Sequence, residues 1–375
     1  MSVHRRERGN GKVAWQVTWR EGDGRQRAES HATRRAAEAR DNEIRDLKWR
    51  GKVEHADAGS ESLRAATEVW FGDHVEPTLA RNTIISYAQI LDRHLLPRLG
   101  EVPLRDIDPA RVVALQRELR ADHVGDATTH RVLMVLSGIM RHAVIRGRIE
   151  RNPVQPVRIK APKRKRAIRP LAPASVERLR CELLSGGDEL SATLVSVMAY
   201  AGLRPAEATA LVWEHVGERT LLVEQAGDDG RMKETKTGTI RTVGLLRPLR
   251  DDLAAWRKSA GKPPDGAPVF PRAGGGAWTR DDYRNWRRRR FDPAATAAAL
   301  PGIRPYDLRH SFASLMIQAG YSTVELAAEL GHAPTLTLNT YAHVFSEFAR
   351  GERVDPERVI AAERITNLKA SHRFN

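Results

Sequence analysis

The sequence has a single cysteine, no long apolar run and none of the common nucleotide-binding or metal-binding motifs. Cys181 stands alone among 375 residues, which excludes an intrachain disulfide and a zinc site made of cysteines. The longest apolar run, at residues 194–203, is far too short to cross a bilayer, and the Arg-rich N-terminus lacks the apolar segment of a secretory signal. No P-loop, paired-glycine fingerprint, acidic metal cluster or internal repeat is present. We therefore expect a soluble, intracellular protein.

Positive charge, by contrast, is plentiful. The chain has 62 Lys and Arg residues against 47 Asp and Glu residues, a formal net charge of +15, and arginine dominates. Because the planar guanidinium suits bidentate contacts with phosphate, this balance favours a polyanionic partner such as nucleic acid. The alternative is that the surplus charge only keeps the protein soluble. Hydrophobic residues make up 41% of the chain, enough for real cores, and the length predicts two or three domains.

A three-stranded β-sheet backed by one helix is predicted over residues 1–55. Apolar residues alternate with other residues from Val13 to Trp19, as a half-buried strand requires, and Gly-Asp-Gly at 22–24 turns the chain into a partner strand. Helical spacing follows, with Thr33 as the predicted N-cap. A sheet with so many arginines could lie in a DNA groove. A small solvated domain is the alternative.

A helical domain is predicted over residues 63–155. Residues 54–62 before it are acidic and small and have the composition of a linker. The domain shows apolar residues at three- and four-residue steps, and Asp108-Pro109 and Asp126 are good helix start signals. We expect four or so helices here.

A basic linker is predicted next, over residues 156–170. The stretch 151–170 has four prolines, eight basic residues and no acidic residue, so it should be extended and able to follow a phosphate backbone. From residue 171 onward the pattern is mostly helical, and "TLLVEQA" and "IRTVGL" predict an antiparallel hairpin or small sheet. The predicted fold class is therefore multidomain and mainly α with small β-sheets, and its last domain is mixed α/β but mostly helical.

Four short clusters in the last segment carry residues suited to breaking a phosphodiester without a metal. Guanidinium groups can bind phosphate and stabilise the charge that develops on its oxygens, while a nucleophile attacks phosphorus and an acid protonates the departing sugar oxygen. The clusters are "AGLRPAEATALVW" with Arg204 and Glu207, "KETKTGTIRTVGL" with Lys236, "RPYDLRHSFASLMIQAG" with Arg309, and "LGHAPTLTLNTYAHV" with His332 and Tyr341.

In this order the clusters resemble the signature of the tyrosine recombinases, the phage-integrase family. That family shows a G-L-R-x-x-E box, a lysine in a β-hairpin, an H-x-L-R-H box, L-G-H, and a tyrosine nine residues beyond that histidine. This chain has "GLRPAE", "TKTG", "YDLRHSFAS", "LGH" and "TYAHV". The resemblance implies an arm-type DNA-binding domain (1–55), a SAM-like helical core-binding domain (63–155) and a catalytic domain with a C-terminal tail (171–375).

The resemblance also implies a role for each matching position. Arg204 and Arg309 would bind the scissile phosphate. Lys236 would protonate the departing 5′-oxygen, with Lys233 as a substitute, and His332 would hydrogen-bond a non-bridging oxygen. Because the transesterification conserves bond energy, the resemblance implies no cofactor, no ATP and no metal.

Tyr341 would be the nucleophile that forms a 3′-phosphotyrosine, while Glu207 and Asp307 would support the site from behind. The chain departs from the family at Tyr306, where the H-x-x-R box usually has its first histidine. A phenol, with a pKa of about 10, is a poor base near neutrality, although it can still hydrogen-bond the phosphate or position the nucleophile. We nevertheless expect Tyr306 to belong to the catalytic set. The neighbouring His310 is predicted to be a buried, hydrogen-bonded helix residue.

The implied function is that of a site-specific integrase of a phage or mobile element, which acts on DNA in the bacterial cytoplasm. Its expected partners are double-stranded DNA with attachment-type sites, three further copies in a homotetramer, a directionality factor and a host DNA-bending protein. The C-terminal tail would dock on a neighbouring protomer. The alternatives are a type IB-like topoisomerase and a catalytically silent DNA-binding relative. The residues expected to contact DNA are Arg5, Arg6, Lys163, Arg164, Lys165, Arg166 and Arg287.

Overall fold

The computed structural model of the chain describes residues 2–7, 13–20, 26–49, 58–159, 170–228, 231–234, 240–272, 274–348 and 352–371. Two units emerge, residues 1–165 and 166–375, and each is described by itself. In both units helices dominate and the sheets are small, as the sequence predicts.

The first unit begins with the predicted three-stranded sheet and its helix. Strands β1 (Ser2–Glu7), β2 (Val13–Arg20) and β3 (Gln26–His31) are antiparallel in the order β1-β2-β3, and helix α1 (Arg34–Trp49) follows. One face of the sheet packs on α1, because Val17 and Trp19 are buried against Ala37 and Ile44. Thr33 caps the helix as predicted, since its hydroxyl accepts a hydrogen bond from the backbone N–H of Ala36 at 3.3 Å.

The rest of the first unit is helical around one apolar core. Asp108 is the N-cap of a helix, accepting from the backbone N–H of Arg111 at 2.7 Å, and Pro109 is its first residue, as predicted. Asp126 is the first residue of the next helix. The elements are α2 (Leu63–Trp70), a π-helical turn (Phe71–Val75), α3 (Glu76–Thr78), α4 (Arg81–Ile90), a second π-helical turn (Leu91–Leu95), α5 (Leu96–Leu99), a 3₁₀ turn (Leu104–Asp106), α6 (Pro109–Ala121) and α7 (Asp126–Ile145).

The second unit is built around a helix that is buried on every side. All residues from Ser191 to Tyr200 are buried, and this small and apolar sequence lets other helices pack closely around it. The helices of the unit are α8 (Pro173–Ser185), α9 (Glu189–Tyr200), α10 (Pro205–Ala208), α11 (Arg247–Ser259), α12 (Arg280–Trp286), α13 (Asp292–Ala297), α14 (Pro305–Gln318), α15 (Thr323–Leu330), α16 (Pro334–Phe348) and α17 (Pro356–Ser371), with a 3₁₀ turn (Trp213–His215) and a π-helical turn (Arg287–Phe291).

Two antiparallel strand pairs lie between α10 and α11. Strand β4 (Thr220–Val223) pairs with β7 (Arg241–Gly244), and β5 (Gln225–Asp228) pairs with β6 (Arg231–Glu234). The predicted antiparallel arrangement is therefore confirmed, with one pair nested inside the other. Lys236 follows β6 and lies outside the described residues.

The C-terminal helix α17 packs on its own unit, against α8 and α11. Ile360 is fully buried there. The segment before it is held by a hydrogen bond from the backbone N–H of Val354 to the carbonyl of Gln318 at 3.1 Å. Among the described residues, no helix has the length and apolar character that a membrane span requires.

Candidate active site

Arg204 is positioned by the capping of a short helix. It is the N-cap of α10, and Pro205 begins that helix. Glu207, one turn on, accepts hydrogen bonds from the backbone N–H of Arg204 at 2.8 Å and from its Nη1 at 2.7 Å. The "RPAE" sequence therefore fixes both the start of the helix and the direction of the arginine side chain.

Glu207 is the centre of a cluster of three arginines. Arg241 on β7 donates to both of its oxygens, at 3.1 and 2.7 Å, and Nη1 of Arg309 lies 3.7 Å from Oε2. Burial alone would raise the pKa of Glu207, but hydrogen bonds and charge from Arg241, the backbone N–H of Arg204 and the charge of Arg309 outweigh it and lower the pKa to about 2. Glu207 is therefore ionised and holds the arginines together.

Arg309 is the most deeply buried arginine of this cluster and is only 1% exposed. Its Nη1 donates to the carbonyl of Gly202 at 2.6 Å, and its Nη2 donates to the carbonyl of Leu330. Gly202 has a positive φ of 63°, and a Cβ there would clash with the ring of Phe312, so the "GLR" box needs glycine. Burial and the charge of Arg204 lower the pKa of Arg309 to about 10, which leaves the guanidinium charged near neutral pH.

His332 is brought to Arg309 by a left-handed turn. Helix α15 ends at Gly331, whose φ and ψ are 60° and 50°, and the carbonyl of Gly331 accepts from Nη2 of Arg204 at 3.3 Å. Nε2 of His332 then lies 3.0 Å from Nη2 of Arg309. Because a guanidinium can only donate, we assign the hydrogen of the neutral imidazole to Nδ1. Burial, and then the charges of Arg309 and Arg204, lower the pKa of His332 to about 4, so the ring is neutral.

Two buried donor atoms in this cluster have no hydrogen-bond partner. They are Nε of Arg309 and Nδ1 of His332. An unsatisfied buried donor costs about 1–3 kcal/mol, so two in one cluster point to an acceptor that binds there. Three guanidinium groups against one carboxylate also leave the cluster positive, which suits an anionic acceptor.

Tyr341 is fully buried on α16, and its hydroxyl meets a histidine. Oη of Tyr341 lies 2.7 Å from Nδ1 of His310 on α14. Burial raises the pKa of the Tyr341 phenol, and the charge of Arg309 offsets only part of this effect. Without a proton acceptor, the phenol therefore stays protonated near neutral pH.

Tyr306 lies on the first turn of α14 and is 39% exposed. Its ring centroid is 5.3 Å from that of His310, in an edge-to-face arrangement. Asp307, the next residue, accepts from the backbone N–H of Arg304 at 2.9 Å and pairs with its guanidinium at 3.0 Å. Asp307 thus caps α14 and supports the helix that carries Arg309.

The structure brings Arg204, Glu207, Arg309 and His332 together in one contact network. Tyr341 contacts His310, the residue that follows Arg309 on α14. The predicted acid Lys236 lies outside the described residues. The same holds for the four predicted DNA-contacting residues of the linker, Lys163, Arg164, Lys165 and Arg166. Lys233 is on β6.

Sequence reasoning missed two residues of the site. Arg241 belongs to the arginine cluster, and the available signal was its position in "IRTVGL", where strand alternation turns every second side chain inward. His310 was expected only to be a buried and bonded helix residue, but it is half-buried and its partner is Tyr341. His343, two residues after Tyr341, is exposed.

The arginines expected to contact DNA have different surroundings. Arg6 is exposed and lies opposite Ala14 in the sheet, with its Nη1 3.4 Å from Oε1 of Gln16. Arg5 is exposed and opposite Trp15, so it belongs to the other face. Arg287, in the π-helical turn after α12, pairs with Asp292 at 3.3 Å. Among the described residues, no group of three or more His, Cys, Asp or Glu side chains could hold a metal ion.

Models of two protein domains match the sequence. Residues 174–347 match the phage integrase family, and residues 63–160 match the phage integrase central domain. The first match includes Arg204, Arg309, His332 and Tyr341, and the second covers helices α2 to α7 of the first unit.

Similar proteins include a prophage phiRv2 integrase of Mycobacterium tuberculosis, 26% identical over 73% of this chain and 74% of that protein. The tyrosine recombinase XerD of Mycobacterium leprae is 28% identical over 72% of this chain and 89% of that protein. Among solved structures, the Tn1549 transposon integrase in complex with transposon right end DNA has a TM-score of 0.66 at 19% identity and covers 77% of this chain and 98% of that one. A lambda integrase tetramer bound to a Holliday junction has a TM-score of 0.60 at 16% identity and covers 89% of this chain and 94% of that one.

Proposed function

The chain belongs to the phage integrase family of tyrosine recombinases, and we propose that it cleaves and rejoins DNA at specific sites through a 3′-phosphotyrosine on Tyr341. The reaction class is that of the family, a transesterification at phosphorus.

The observation that carries the proposal is the pair of unsatisfied donors in the arginine cluster. Nε of Arg309 and Nδ1 of His332 are buried without partners in a cluster of positive charge. A phosphodiester offers non-bridging oxygens that accept such bonds, and these oxygens become more negative as phosphorus is attacked. We assign binding of the scissile phosphate to Arg204 and Arg309, and a hydrogen bond to a non-bridging oxygen to His332.

Two further residues, Glu207 and Arg241, hold the side chains of this phosphate site in position. Glu207 keeps the arginines in fixed positions before DNA arrives, so the protein does not have to reorganise during the reaction. Arg241 is locked by Glu207 and by a bond from its Nε to the carbonyl of Glu329 at 2.7 Å. Arg241 therefore holds the end of α15 and its turn against the site, and so positions His332.

Tyr341 is the proposed nucleophile. Its oxygen attacks phosphorus, the bond from phosphorus to the 5′-oxygen breaks, and the DNA 3′ end stays on the protein as a phosphotyrosine. Lys236 is the proposed acid that protonates the departing 5′-oxygen. Attack by a 5′-hydroxyl of another strand reverses the steps and rejoins DNA. One ester replaces another, so the reaction needs no ATP.

We further propose that four copies act on two paired DNA sites, with the N-terminal sheet binding additional arm-type sites. The lambda integrase tetramer on a Holliday junction supports this assembly by similarity of fold. A directionality factor and a host DNA-bending protein are proposed as accessory partners. The net charge of +15 over the chain supports the proposed binding of DNA.

The test is covalent capture. Purified protein is incubated with fragments of genomic and mobile-element DNA from the strain that carries the gene, without metal or ATP. A denaturant-resistant protein–DNA adduct is then sought, the adducted peptide is identified by mass spectrometry, and the attached DNA is sequenced. We expect an adduct on Tyr341 that is absent in Tyr341→Phe and retained in Tyr321→Phe, a half-buried tyrosine of the same unit.

Other outcomes would contradict the proposal in distinct ways. Binding of DNA without any adduct, even on nicked DNA that traps cleavage, would indicate a catalytically silent binder. Relaxation of supercoiled DNA with adducts at unrelated sequences would indicate a type IB-like topoisomerase.

A further inference from the structure

The hydroxyl of Tyr341 needs a proton acceptor before it can attack phosphorus. It is fully buried and its pKa is raised by that burial, so spontaneous ionisation near neutral pH is rare. Bulk water does not reach a fully buried hydroxyl. A side chain that already holds this hydroxyl in hydrogen-bond contact is therefore the candidate acceptor.

Residue 306, where the family usually has a histidine, is badly suited to this task. Tyr306 carries a phenol, and a phenol accepts a proton poorly near neutrality. The structure places its ring edge-to-face against His310, 5.3 Å between centroids. His332 is also engaged, because its Nε2 accepts from Arg309 at 3.0 Å. The carboxylate of Glu207 is occupied by arginines.

His310 is in the required place. Its Nδ1 lies 2.7 Å from Oη of Tyr341, and in the part of the chain that the structure describes it is the basic group in hydrogen-bond contact with that hydroxyl. The two rings meet at 63° with centroids 5.7 Å apart. A neutral imidazole with its hydrogen on Nε2 presents the Nδ1 lone pair to the phenol O–H.

The helix explains why adjacent residues serve two purposes. Successive residues of an α-helix point about 100° apart around its axis. On α14, Arg309 therefore points to Glu207 and His332, while His310 points to α16 and Tyr341. One turn of one helix thus carries both the proposed phosphate ligand and the proposed proton acceptor.

We propose that His310 is a catalytic residue that takes the proton of Tyr341 as this tyrosine attacks the phosphate, an assignment that rests on the strand cleavage proposed above. The bond between Oη and phosphorus forms while the bond from phosphorus to the 5′-oxygen breaks. The phenol proton moves to Nδ1 of His310, and the 5′-oxygen takes a proton from the acid, for which we propose Lys236. In rejoining, the 5′-hydroxyl returns its proton to that acid, and the leaving Tyr341 oxygen takes its proton back from His310.

The test measures single-turnover adduct formation on nicked duplexes made from the DNA recovered by covalent capture. One duplex has the natural 5′-oxygen, and the other has a bridging sulfur there, which departs as a thiolate without an acid. The variants are His310→Gln, which keeps a hydrogen-bonding side chain but takes up no proton near neutral pH, and His310→Ala. His343→Ala is the matched control, because His343 is an exposed histidine on the same helix as Tyr341.

We expect both His310 variants to form adduct about 10²–10⁴-fold more slowly on both duplexes, with DNA affinity unchanged. His343→Ala should match the unaltered protein. Lys236→Ala should be slow on the oxygen duplex only. Loss of the base and loss of the acid are therefore distinguished by the sulfur duplex.

Three results would overturn the assignment. Adduct formation by His310→Gln at close to the unaltered rate would reduce His310 to a positioning residue. Recovery of the His310 variants on the sulfur duplex would place His310 on the leaving-group side. Failure of the preceding covalent capture to yield any adduct from the unaltered protein would remove the proposed function itself, and the role of His310 with it.

A second measurement tests the assignment in the unaltered protein without DNA. Nitrogen-15 NMR of labelled histidine reports which ring nitrogen carries the hydrogen, and His310→Gln identifies the signal. We expect Nδ1 of His310 to be unprotonated in the neutral ring. A hydrogen on Nδ1 would mean that His310 donates to Tyr341 and would overturn the proposal even where the folded His310 variants form adduct slowly.

Discussion

At the scale of single residues, the tyrosine at position 306 bears on which side chain accepts the proton of Tyr341, a role we propose for His310. Tyr306 is partly exposed, and its ring packs on the imidazole of His310, which holds the Tyr341 hydroxyl. A histidine at 306 would add a second acceptor near the same oxygen. We therefore expect Tyr306→His to keep or increase the rate of DNA cleavage, measured as adduct formation on nicked DNA.

The control for this prediction is Tyr306→Phe, which keeps the ring that packs on His310 but removes the hydroxyl. It should cleave at close to the unaltered rate, because the contribution we expect from Tyr306 to the catalytic set is the packing of its ring on His310. A large loss of cleavage in a properly folded Tyr306→His protein would instead show that the phenol of Tyr306 has an indispensable role, such as a hydrogen bond to the phosphate.

Glu207 is the second residue with a testable role, because three arginines share its carboxylate. Replacing it by glutamine leaves buried guanidinium groups without a counter-charge, which costs about 3–5 kcal/mol. We expect Glu207→Gln to unfold at a lower temperature than the unaltered protein. Added phosphate should recover more stability in the variant, since the anion replaces the missing charge; thermal unfolding with and without phosphate measures both effects.

The pH dependence of stability provides an independent measure of the same carboxylate. The pKa of Glu207 falls from its ordinary 4.5 to about 2 in the folded chain. A depressed carboxylate pKa stabilises the fold above the ordinary value, and this contribution is lost as the pH drops from 4.5 towards 2. The difference corresponds to about 3 kcal/mol. Glu207→Gln should lack this component, and identical acid-unfolding curves for the two proteins would contradict the assignment.

At the scale of elements, α17 is bound to its own unit by a buried ionic network. Arg364 donates to Asp252 at 2.7 Å and to the carbonyl of Pro248 at 2.9 Å, and its Nε lies 3.3 Å from Oε2 of Glu177. Glu177 also pairs with Arg180 at 2.5 Å. Two arginines and two carboxylates therefore join α8, α11 and α17, and removing one member leaves a buried charge unpaired.

We predict that Arg364→Met releases α17. Methionine keeps the apolar stem but leaves two carboxylates facing one arginine, which costs about 3–5 kcal/mol and weakens the docking of the helix. Hydrogen exchange should increase over residues 356–371. Arg358→Met, an exposed position on the same helix, should leave the exchange unchanged.

The same packing changes how the predicted docking of the tail on a neighbouring protomer should be tested. Deleting residues 355–375 removes Ile360 and Arg364 from the core of their own unit, so lost cleavage would report misfolding as readily as a lost contact between protomers. Ile365 is exposed on α17. Ile365→Ser is therefore the sharper test, with tetramer formation on DNA as the measurement.

Local signals predicted the elements well because their causes are local. Thr33 and Asp108 cap helices where the sequence places them, and alternation from Val13 to Trp19 gives a strand. The pairing of His310 with Tyr341 had no such signal, because the two residues are 31 positions apart in the sequence and lie on different helices, α14 and α16. Capping and periodicity are properties of neighbours in sequence, whereas a contact between helices depends on the whole unit.

At the scale of the whole molecule, the sequence predicted a cationic DNA-binding protein but not which cations face outward on one surface. A net charge of +15 is a sum, and it does not distinguish arginines that bind carboxylates from those available to phosphate. Arg204, Arg241 and Arg364 are all engaged with carboxylates. In the N-terminal sheet, Arg5 and Arg6 lie on opposite faces, because consecutive residues of a strand point to opposite sides.

That separation leads to a prediction about DNA affinity. Arg6 shares the open face with Gln16, whereas Arg5 lies opposite Trp15, whose ring also lies under Arg34 of α1 at 5.6 Å. We expect Arg6→Ala to weaken binding of the captured DNA with its flanks. Each lost phosphate contact should also reduce the slope of log affinity against log salt by about 0.9, measured from about 50 to 200 mM salt. Arg5→Ala should change both quantities less. Equal losses in the two variants would mean that total charge, and not the open face of the sheet, determines arm binding.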